Sequence, residues 1–263
     1  MITSSSNSQM KNIVQLKKKA RERNRQDVFL VEGVKMFREV PRDRLLQVYA
    51  SEGFFREESH RRLLEGCSWE LVSDSVFRTI SDTQTPQGII CIVRQFHYAP
   101  EDLLRGSEGG APLCMALENL QDPGNLGTIV RTAEGAGVSG ILLSRESVDL
   151  YNPKVIRSTM GSIYRMPFYY ADDLGAELRK WKGRGVRLFA AHLEGSVSYE
   201  REDYRQPCAF LIGNESQGLT EKTAALADCR IRIPMSGQVE SLNAAVASAI
   251  VMYEARRQRS ICE

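Results

Sequence analysis

Short apolar runs alternate with helical patterns after residue 112, and this order limits the fold more than any other feature of the chain. Strands that alternate with helices form a mostly parallel sheet with helices on both faces, and ligands bind at the carboxyl ends of such strands. The sequence therefore predicts an α/β domain of this type. The predicted elements are Leu113–Leu117, Gly127–Ala136, Gly140–Ser144, Pro153–Met160, Arg165–Tyr169, Leu174–Trp181, Val186–His192, Cys208–Ile212, Leu219–Leu226, Cys229–Ile233 and Ser241–Arg257.

A nucleotide-dependent oxidoreductase has the same alternation of strands and helices. Its fingerprint is GxGxxG directly after the first strand, where the glycines form a cradle for pyrophosphate. This chain has LENLQDPGNLG there, with a different glycine spacing. The sequence disfavours the oxidoreductase, and binding of NAD or of S-adenosylmethionine would separate the two classes.

A smaller α/β unit precedes this domain. Helical periodicity over Ile13–Arg23 leads to a predicted strand at Val28–Val31, and GIICIV at residues 88–93 is predicted to be a buried strand. The stretch YAPEDLLRGSEGGAP is rich in Gly, Ser, Pro and charge, which is typical of a linker. We therefore predict domains at residues 1–98 and 113–263, with a linker at residues 99–112.

Basic residues are concentrated near the start of the chain, although the net charge is only +2. The segment from Lys11 to Arg25 contains seven Lys and Arg against one acid. One interpretation is a solvated helix face, and the other is a site that contacts RNA phosphates and releases counterions. The residues predicted to bind RNA are Lys17, Lys18, Lys19 and Arg21.

Composition excludes several classes of protein. A hydrophobic content of 42% supports real cores, so disorder throughout is excluded. The six cysteines have no CxxC spacing and are predicted to be reduced core thiols, and with only three histidines we predict no metal site. The sequence has neither an apolar run long enough to span a membrane nor a signal-peptide core, which predicts a cytoplasmic protein without a membrane partner.

Three motifs place polar residues where strands give way to helices, and such loops build binding sites on rigid scaffolds. Glycines in the second motif allow close approach of the backbone to a ligand. Ser and Asn at the helix start in the third motif are equally typical of caps. The motifs are ENLQDPGNLGTIVRTAEGAG at 118–137, LIGNESQGL at 211–219 and IPMSGQVESLNAAVA at 233–247.

The order, spacing and residue types of these motifs resemble the SpoU/TrmH branch of the SPOUT RNA methyltransferases, which methylate ribose 2′-hydroxyls with S-adenosylmethionine. The fragments FLVEG at Phe29–Gly33 and TPQGII at Thr85–Ile90 resemble the RNA-binding substrate domain found in many members, which is similar to a small ribosomal-protein fold. The resemblance implies that the C-terminal segment forms a deep trefoil knot. It also implies a homodimer through the C-terminal domain.

The resemblance implies roles for residues in all three motifs. This chain departs from the family at Ser216, where members commonly have Gly, and at Ala244-Ala245, where Val-Ser is frequent. The implied catalytic residues are Asn125, Arg131, Glu215, Ser241 and Asn243. The implied cofactor-binding residues are Gly213, Gly218, Ile233, Met235 and Leu242, chiefly through their main chain.

The resemblance makes Arg131 the key catalytic residue. A guanidinium stays protonated in proteins, so Arg131 is poorly suited to act as a base. We expect it to hold the phosphate beside the target ribose and to lower the pKa of the hydroxyl. Large-subunit rRNA is the expected substrate. The alternatives are a tRNA 2′-O-methyltransferase and a catalytically silent RNA-binding homologue.

Overall fold

The computed structural model describes residues 1–106, 110–193, 197–238 and 241–260. The chain forms two compact units, one of residues 1–96 with 149–164 and one of residues 97–148 with 165–263. The strands are β1 (Val28–Glu32), β2 (Leu45–Ser51), β3 (Trp69–Val72), β4 (Ile89–Arg94), β5 (Leu113–Leu117), β6 (Gly140–Ser144), β7 (Phe168–Ala171), β8 (Arg187–Ala191), β9 (Val197–Ser198), β10 (Cys208–Ile212) and β11 (Cys229–Arg232). The helices are α1 (Ser8–Lys18), α2 (Ala20–Gln26), α3 (Val34–Glu39), α4 (Glu52–Arg56), α5 (Glu58–Leu63), α6 (Asp74–Ile80), α7 (Pro123–Ala136), α8 (Pro153–Thr159), α9 (Leu174–Gly183), α10 (Glu221–Ala224) and α11 (Ala244–Ser260).

The second unit is built on a seven-stranded sheet in the order β7-β6-β5-β10-β8-β11-β9. Every pairing in it is parallel. The strands β5, β6 and β10 are buried along their whole length, as expected for parallel strands that helices cover on both faces. The predicted α/β class with a parallel sheet is confirmed.

Side chains of β10 alternate between the two faces of this sheet. Ala209 and Leu211 join the core that packs against α9 and α10. Phe210 contacts the ring of Tyr204, with 4.9 Å between centroids, and the Tyr204 amide donates to Gln258 of α11. Helix α11 also packs against α7. The sheet therefore has a helical layer on each face.

Part of the predicted linker is packed rather than extended. Pro100–Leu104 forms a 3₁₀ helix in the second unit, and Leu103 is fully buried. A Cβ added at Gly140 in β6 would lie 2.7 Å from the Leu103 Cα, so glycine allows this close approach. Residues 107–109 of the predicted linker lie outside the described residues.

The first unit has a four-stranded sheet in the order β1-β4-β2-β3. Strand β4 is antiparallel to β1 and β2, and β3 is parallel to β2. Its core also includes side chains of α1 and α6, among them Ile13, Leu16 and Phe77. Helix α8, in the segment 149–164, packs against β1 and belongs to this unit. The first unit is therefore made of two separate stretches of the chain.

The predicted helix over Ile13–Arg23 is interrupted at Lys19, whose backbone is extended. Arg23 is buried, donates to the Leu16 carbonyl at 2.6 Å, and forms an ion pair with Asp149. Its guanidinium thus satisfies a carbonyl at the end of α1. Within the described residues, no helix is long and apolar enough to cross a membrane.

Candidate active site

The loops after β5 and β10 lie side by side at the carboxyl edge of the parallel sheet. The strand order runs outward from this pair, through β6 and β7 on one side and through β8, β11 and β9 on the other. Open α/β sheets bind ligands at such a topological switch point. The first and second sequence motifs begin at these two strand ends.

Glu118 directly follows β5 and fixes the loop that follows β10. Its buried carboxylate accepts hydrogen bonds from the Thr220 amide at 2.7 Å and from the Thr220 hydroxyl at 2.8 Å. The Thr223 hydroxyl donates to the same carboxylate. Since Thr220 caps α10, these bonds attach the start of that helix to β5.

Asn119 connects three strand ends. It has a positive φ of 53°, which Asn tolerates better than most residues. Its amide donates to the Ser144 hydroxyl of β6 at 2.9 Å, and its carbonyl accepts from the Asn214 side chain after β10 at 2.8 Å. The backbone after β5 is therefore held from both sides.

Residues 213–218 form a tight turn that requires glycine at its first position. A Cβ on Gly213 would lie 2.0 Å from the Gly218 carbonyl carbon and 2.1 Å from the Leu219 nitrogen. Asn214 and Gly218 exchange backbone hydrogen bonds of 3.0 and 2.9 Å. Gly218 has a φ of 69°, so both predicted glycines have a backbone reason to be there.

Glu215 projects from this turn towards the loop after β5. Its carboxylate accepts from the amides of Gln121 at 3.2 Å and Asp122 at 3.0 Å, and from the Asn125 side chain at 3.1 Å. Burial raises the pKa of Glu215, but the hydrogen bonds from Asp122 and Asn125 outweigh it and hold that pKa below its ordinary value. Glu215 is therefore ionised at neutral pH and a weak base.

Asn125 joins the second motif to the third. Its Nδ2 donates to Glu215, and its Oδ1 accepts from the Asn243 Nδ2 at 2.9 Å. Asn243 caps α11, because its Oδ1 accepts from the amides of Ala245 and Val246. A carboxylate only accepts hydrogen bonds and backbone amides only donate them. Glu215 at one end of this row of hydrogen bonds and the α11 amides at the other therefore fix the orientation of the Asn125 and Asn243 side chains.

Arg131 lies on α7, two turns beyond Asn125. Its side chain is exposed, and within the described residues it has no hydrogen bond or ion pair. The structure thus does not join Arg131 to Glu215, whose carboxylate is occupied by amides instead. The guanidinium is available to an incoming anion.

The remaining predicted residues lie around the third motif. Ile233 and Leu242 are half-buried, Met235 is 39% exposed, and Ser241 is exposed with no hydrogen bond among the described residues. Helix α11 begins after Asn243, so Ser241 does not cap it. Residues 239 and 240 of the motif lie outside the described residues.

Sequence reasoning did not single out the residues that hold the loops in place. The motifs include Glu118, Asn119 and Asn214 but assign them no role, and Thr220 and Thr223 enter the sequence analysis only as part of the predicted helix Leu219–Leu226. The available signal was a polar pair directly after a fully apolar strand, which places side chains at the ligand-binding edge of the sheet. Their partners are about a hundred residues away in sequence and could not be identified from spacing.

This arrangement is suited to positioning rather than to strong acid–base chemistry. It contains an ionised carboxylate that is already bonded, two oriented side-chain amides and an exposed guanidinium. Among the described residues, no cluster of His, Cys, Asp or Glu is arranged to hold a metal ion. Such a site fits the alignment of a substrate that is already activated.

Two family models match the chain. The model described as the SpoU rRNA Methylase family matches residues 112–253, more than half of the chain. The chain belongs to the SpoU rRNA methylase family. The resemblance inferred from the three motifs is therefore confirmed. Residues 7–91 match the MRM3-like substrate binding domain.

Two named 23S rRNA methyltransferases are similar to this chain over most of its length. The 23S rRNA (guanosine(2553)-2′-O)-methyltransferase RlmP of Bacillus subtilis is 30% identical over 97% of this chain and 98% of its own length. The 23S rRNA (guanosine-2′-O-)-methyltransferase RlmB of Ralstonia nicotianae is 33% identical over 70% of this chain and 74% of its own.

A solved structure has the same fold. The AdoMet-bound rRNA methyltransferase from Sinorhizobium meliloti superposes with a TM-score of 0.83, is 32% identical, and is covered over 97% of both chains. Both units therefore have counterparts in a single known protein.

Proposed function

We propose that this SpoU family member transfers a methyl group from S-adenosylmethionine to a ribose 2′-hydroxyl of large-subunit rRNA. The observation that carries the proposal is the hydrogen-bonded chain from Asn243 through Asn125 to Glu215, which joins the three motifs at one edge of the sheet. The names of the similar RlmP and RlmB enzymes support the reaction and the class of RNA.

Residues after β11 fit a cofactor that is held by main-chain groups. Within the described residues, the backbone of residues 235–238 makes no hydrogen bond, and its donors and acceptors could contact a ligand. Apolar side chains of Ile233, Met235 and Leu242 occur beside them in sequence. Together with the backbone at Gly213 and Gly218, this set suits an adenosine that is recognised without charged side chains. S-adenosylmethionine supplies a methyl group already activated on a sulfonium.

Arg131 holds the phosphate next to the target ribose in this proposal. A planar guanidinium binds phosphate through two parallel hydrogen bonds and stays charged. Its field lowers the pKa of the neighbouring 2′-hydroxyl, and the proton leaves to a phosphate oxygen or to water. The side-chain amides of Asn125 and Asn243 hold the surrounding loops in place through their hydrogen bonds, which end at the Glu215 carboxylate. Ser241 is the fifth residue of the predicted catalytic set.

The basic segment in α1 and α2 contributes phosphate contacts through Lys18, Lys19 and Arg21, whose side chains are exposed and form no hydrogen bond or salt bridge among the described residues. Lys17, which the sequence also predicts to bind RNA, is not expected to contact phosphate. Its side chain is 16% exposed, pairs with Asp82 at 3.4 Å and donates to the Ser81 carbonyl, so its charge is already used within the fold.

We further propose that the enzyme is a homodimer through α11 and that its C-terminal segment passes through the trefoil knot of the family. The exposed apolar side chains Val246 and Tyr253 lie one heptad apart on α11 and support the interface. The small residues Ala244, Ala245 and Ser248 are buried within the chain, so they serve its own packing.

The substrate is tested by mapping ribose methylation in cells with and without the gene. Loss of one 2′-O-methyl group from large-subunit rRNA in the deletion strain, restored by the wild-type gene, is expected. Loss of a group from tRNA with unchanged rRNA would select the tRNA alternative. Unchanged ribose methylation in both RNAs would select the silent RNA-binding homologue.

A further inference from the structure

A large groove lies in the first unit, away from the motifs of the methyltransferase domain. It has a volume of about 1000 Å³ and is bordered by α3, α4, α6 and the turn at residues 86–88. We call it the α3–α6 groove. Its floor includes the buried rings of Phe54 and Phe77. A cavity of this size is large enough for a ligand of one or more nucleotides.

The walls of the α3–α6 groove are fixed by the fold. Gln87 accepts a hydrogen bond from the Val34 amide at 2.8 Å, which ties the turn to α3. Gly88 has a φ of 81°, and a Cβ there would lie 2.5 Å from the Ser51 hydroxyl and 2.8 Å from the Phe54 Cβ. The turn is thus packed closely against α4, which makes this wall of the groove rigid. A rigid site loses little free energy to ordering when a ligand binds.

Three exposed cations line the groove. Lys35 and Arg38 lie three residues apart on one face of α3, and Arg78 lies on α6. All three are exposed, and within the described residues none has an ion pair or a hydrogen bond. Their charges remain available to an anion.

Three carboxylates also line the groove, but each has contacts within the unit. Asp74 accepts from the Gly53 amide at 2.9 Å, and Glu57 lies 3.2 Å from the His60 Nδ1. The Glu39 carboxylate lies against Gly161, where an added Cβ would be 2.2 Å from its Oε2. The groove therefore has unused positive charge on its walls and carboxylates that discourage a purely acidic ligand.

A stacked aromatic pair lies at the same place, and its His60 ring is the partly exposed member. The His60 ring stacks on Phe54, with 4.3 Å between centroids and 8° between planes, and the His60 side chain is 22% exposed. Single-stranded RNA is recognised by this combination of phosphate-binding cations, stacking rings and carboxylates or amides at base edges. An acidic peptide would be attracted by the cations of the groove. It would also be repelled by the three carboxylates, because it has no base edges that could donate hydrogen bonds to them.

We propose that the α3–α6 groove binds unpaired nucleotides of the RNA substrate and so selects a loop or bulge for methylation. This inference rests on the proposed function, because it assigns the groove to the RNA of that reaction. The basic segment in α1 and α2 follows phosphates of any RNA, whereas the groove distinguishes unpaired from paired RNA.

Two triple variants of the full chain test the groove with the same loss of charge. The groove variant carries Lys35→Ala, Arg38→Ala and Arg78→Ala. The control carries Arg56→Ala, Arg94→Ala and Lys154→Ala, three exposed cations of the same unit that lie outside the groove and whose side chains form no hydrogen bond or ion pair among the described residues. Fluorescence anisotropy with a short labelled single strand and with its duplex gives both affinities across salt concentrations.

The groove variant is expected to bind the single strand at least about tenfold more weakly, with the slope of log affinity against log salt reduced by about 2 for three lost phosphate contacts. The control stays within about threefold of the wild type. Both variants bind the duplex alike. Equal losses of single-strand affinity in the two variants, or an unchanged affinity in the groove variant, would overturn the proposal.

A glutamate-rich peptide is the competitor that tests a protein partner. It is expected not to displace RNA from the wild-type protein, and displacement that depends on Lys35, Arg38 and Arg78 would assign the groove to a protein instead. If the triple variant does not fold by circular dichroism, Lys35→Gln with Arg78→Gln replaces it, with at least a threefold loss of single-strand affinity expected and an unchanged affinity contradicting the groove.

Methyl transfer separates this inference from the proposed function. The groove variant should bind S-adenosylmethionine as the wild type does. A wild-type protein that transfers no methyl group would contradict the proposed function and leave the RNA-binding comparison valid. If the wild-type protein transfers the methyl group but the groove variant binds RNA with unaltered affinity, only the proposal that the groove binds RNA would be contradicted.

Discussion

At the scale of single residues, Glu215 holds the site together through hydrogen bonds to its ionised carboxylate. Its carboxylate satisfies two backbone amides of the loop after β5 and the side chain of Asn125. An amide in its place would turn an NH₂ group towards one of these donors and leave that donor unpaired. The role of Glu215 in the structure is therefore to position its neighbours.

Glu215→Gln is expected to lower the thermal stability at pH 7. Hydrogen bonds hold the folded-state pKa of Glu215 below its ordinary value, so the stabilisation is present above the unfolded pKa of about 4.3 and is lost as the pH falls through the folded value. The difference in melting temperature between wild type and variant should shrink below about pH 4. A difference that is constant from pH 7 to pH 3 would show that the charge is not involved.

Arg131→Ala is expected to reduce single-turnover methyl transfer by about a hundredfold or more, by analogy with other lost electrostatic stabilisers. Cofactor affinity should survive, because the proposed cofactor contacts are main-chain groups elsewhere. Arg131→Lys should restore little, since an ammonium lacks the planar pair of donors. The control is Arg201→Ala, which removes another exposed arginine of the same unit. Transfer by Arg131→Ala near the wild-type rate would contradict the assignment.

At the scale of elements, the turn at residues 213–218 is the most tightly constrained part of the site. Gly213→Ala forces a Cβ into the backbone of Gly218 and Leu219, which cannot move away as a side chain would. We expect a loss of stability of about 3 kcal/mol and a weakened affinity for S-adenosylmethionine. The affinity is measured by calorimetry and the stability by denaturant unfolding.

Gly183→Ala is the matched control for this turn. Gly183 ends α9, and an added Cβ there meets nothing within 4 Å. Alanine should stabilise the helix slightly, by up to about 1 kcal/mol. If Gly213→Ala were as well tolerated as Gly183→Ala, the turn would not have the rigidity that its geometry indicates.

The elements that were predicted accurately are those whose structure is determined locally. Strands β5, β6 and β10 match the predicted limits because short, wholly apolar runs between turn residues have few alternatives. The predicted strand Arg165–Tyr169 lies at Phe168–Ala171, and the predicted helix Leu219–Leu226 is only Glu221–Ala224, because Thr220 caps it there. Strand β3 was not predicted, since a half-buried run of four residues gives no clear period.

Other features depend on contacts far apart in sequence. The break between α1 and α2 accompanies the ion pair of Arg23 with Asp149, 126 residues away. The bonds from Gln121 and Asp122 to Glu215 span more than 90 residues. The motifs indicated which residues belong to the site, but only the fold shows that Glu215 bonds to amides rather than to Arg131.

At the scale of the whole molecule, α11 presents an apolar surface to solvent. Val246 is 48% exposed and Tyr253 is 50% exposed. We expect a dimer at micromolar concentration by sedimentation velocity, and Tyr253→Glu should shift the protein towards the monomer because it places a charge in the interface. Leu46→Glu, at an exposed leucine of the first unit, should leave the mass unchanged. A wild-type protein of monomer mass would contradict the predicted dimer.

We expect this chain to transfer a methyl group to a ribose oxygen of RNA. The most direct test incubates the purified protein with S-adenosylmethionine carrying a deuterated methyl group and with unmodified large-subunit rRNA, digests the RNA to nucleosides and locates the label by mass spectrometry. A single 2′-O-methylated nucleoside with the label on the ribose is expected. Label on a base, or no label in RNA although the protein binds the cofactor, would contradict it.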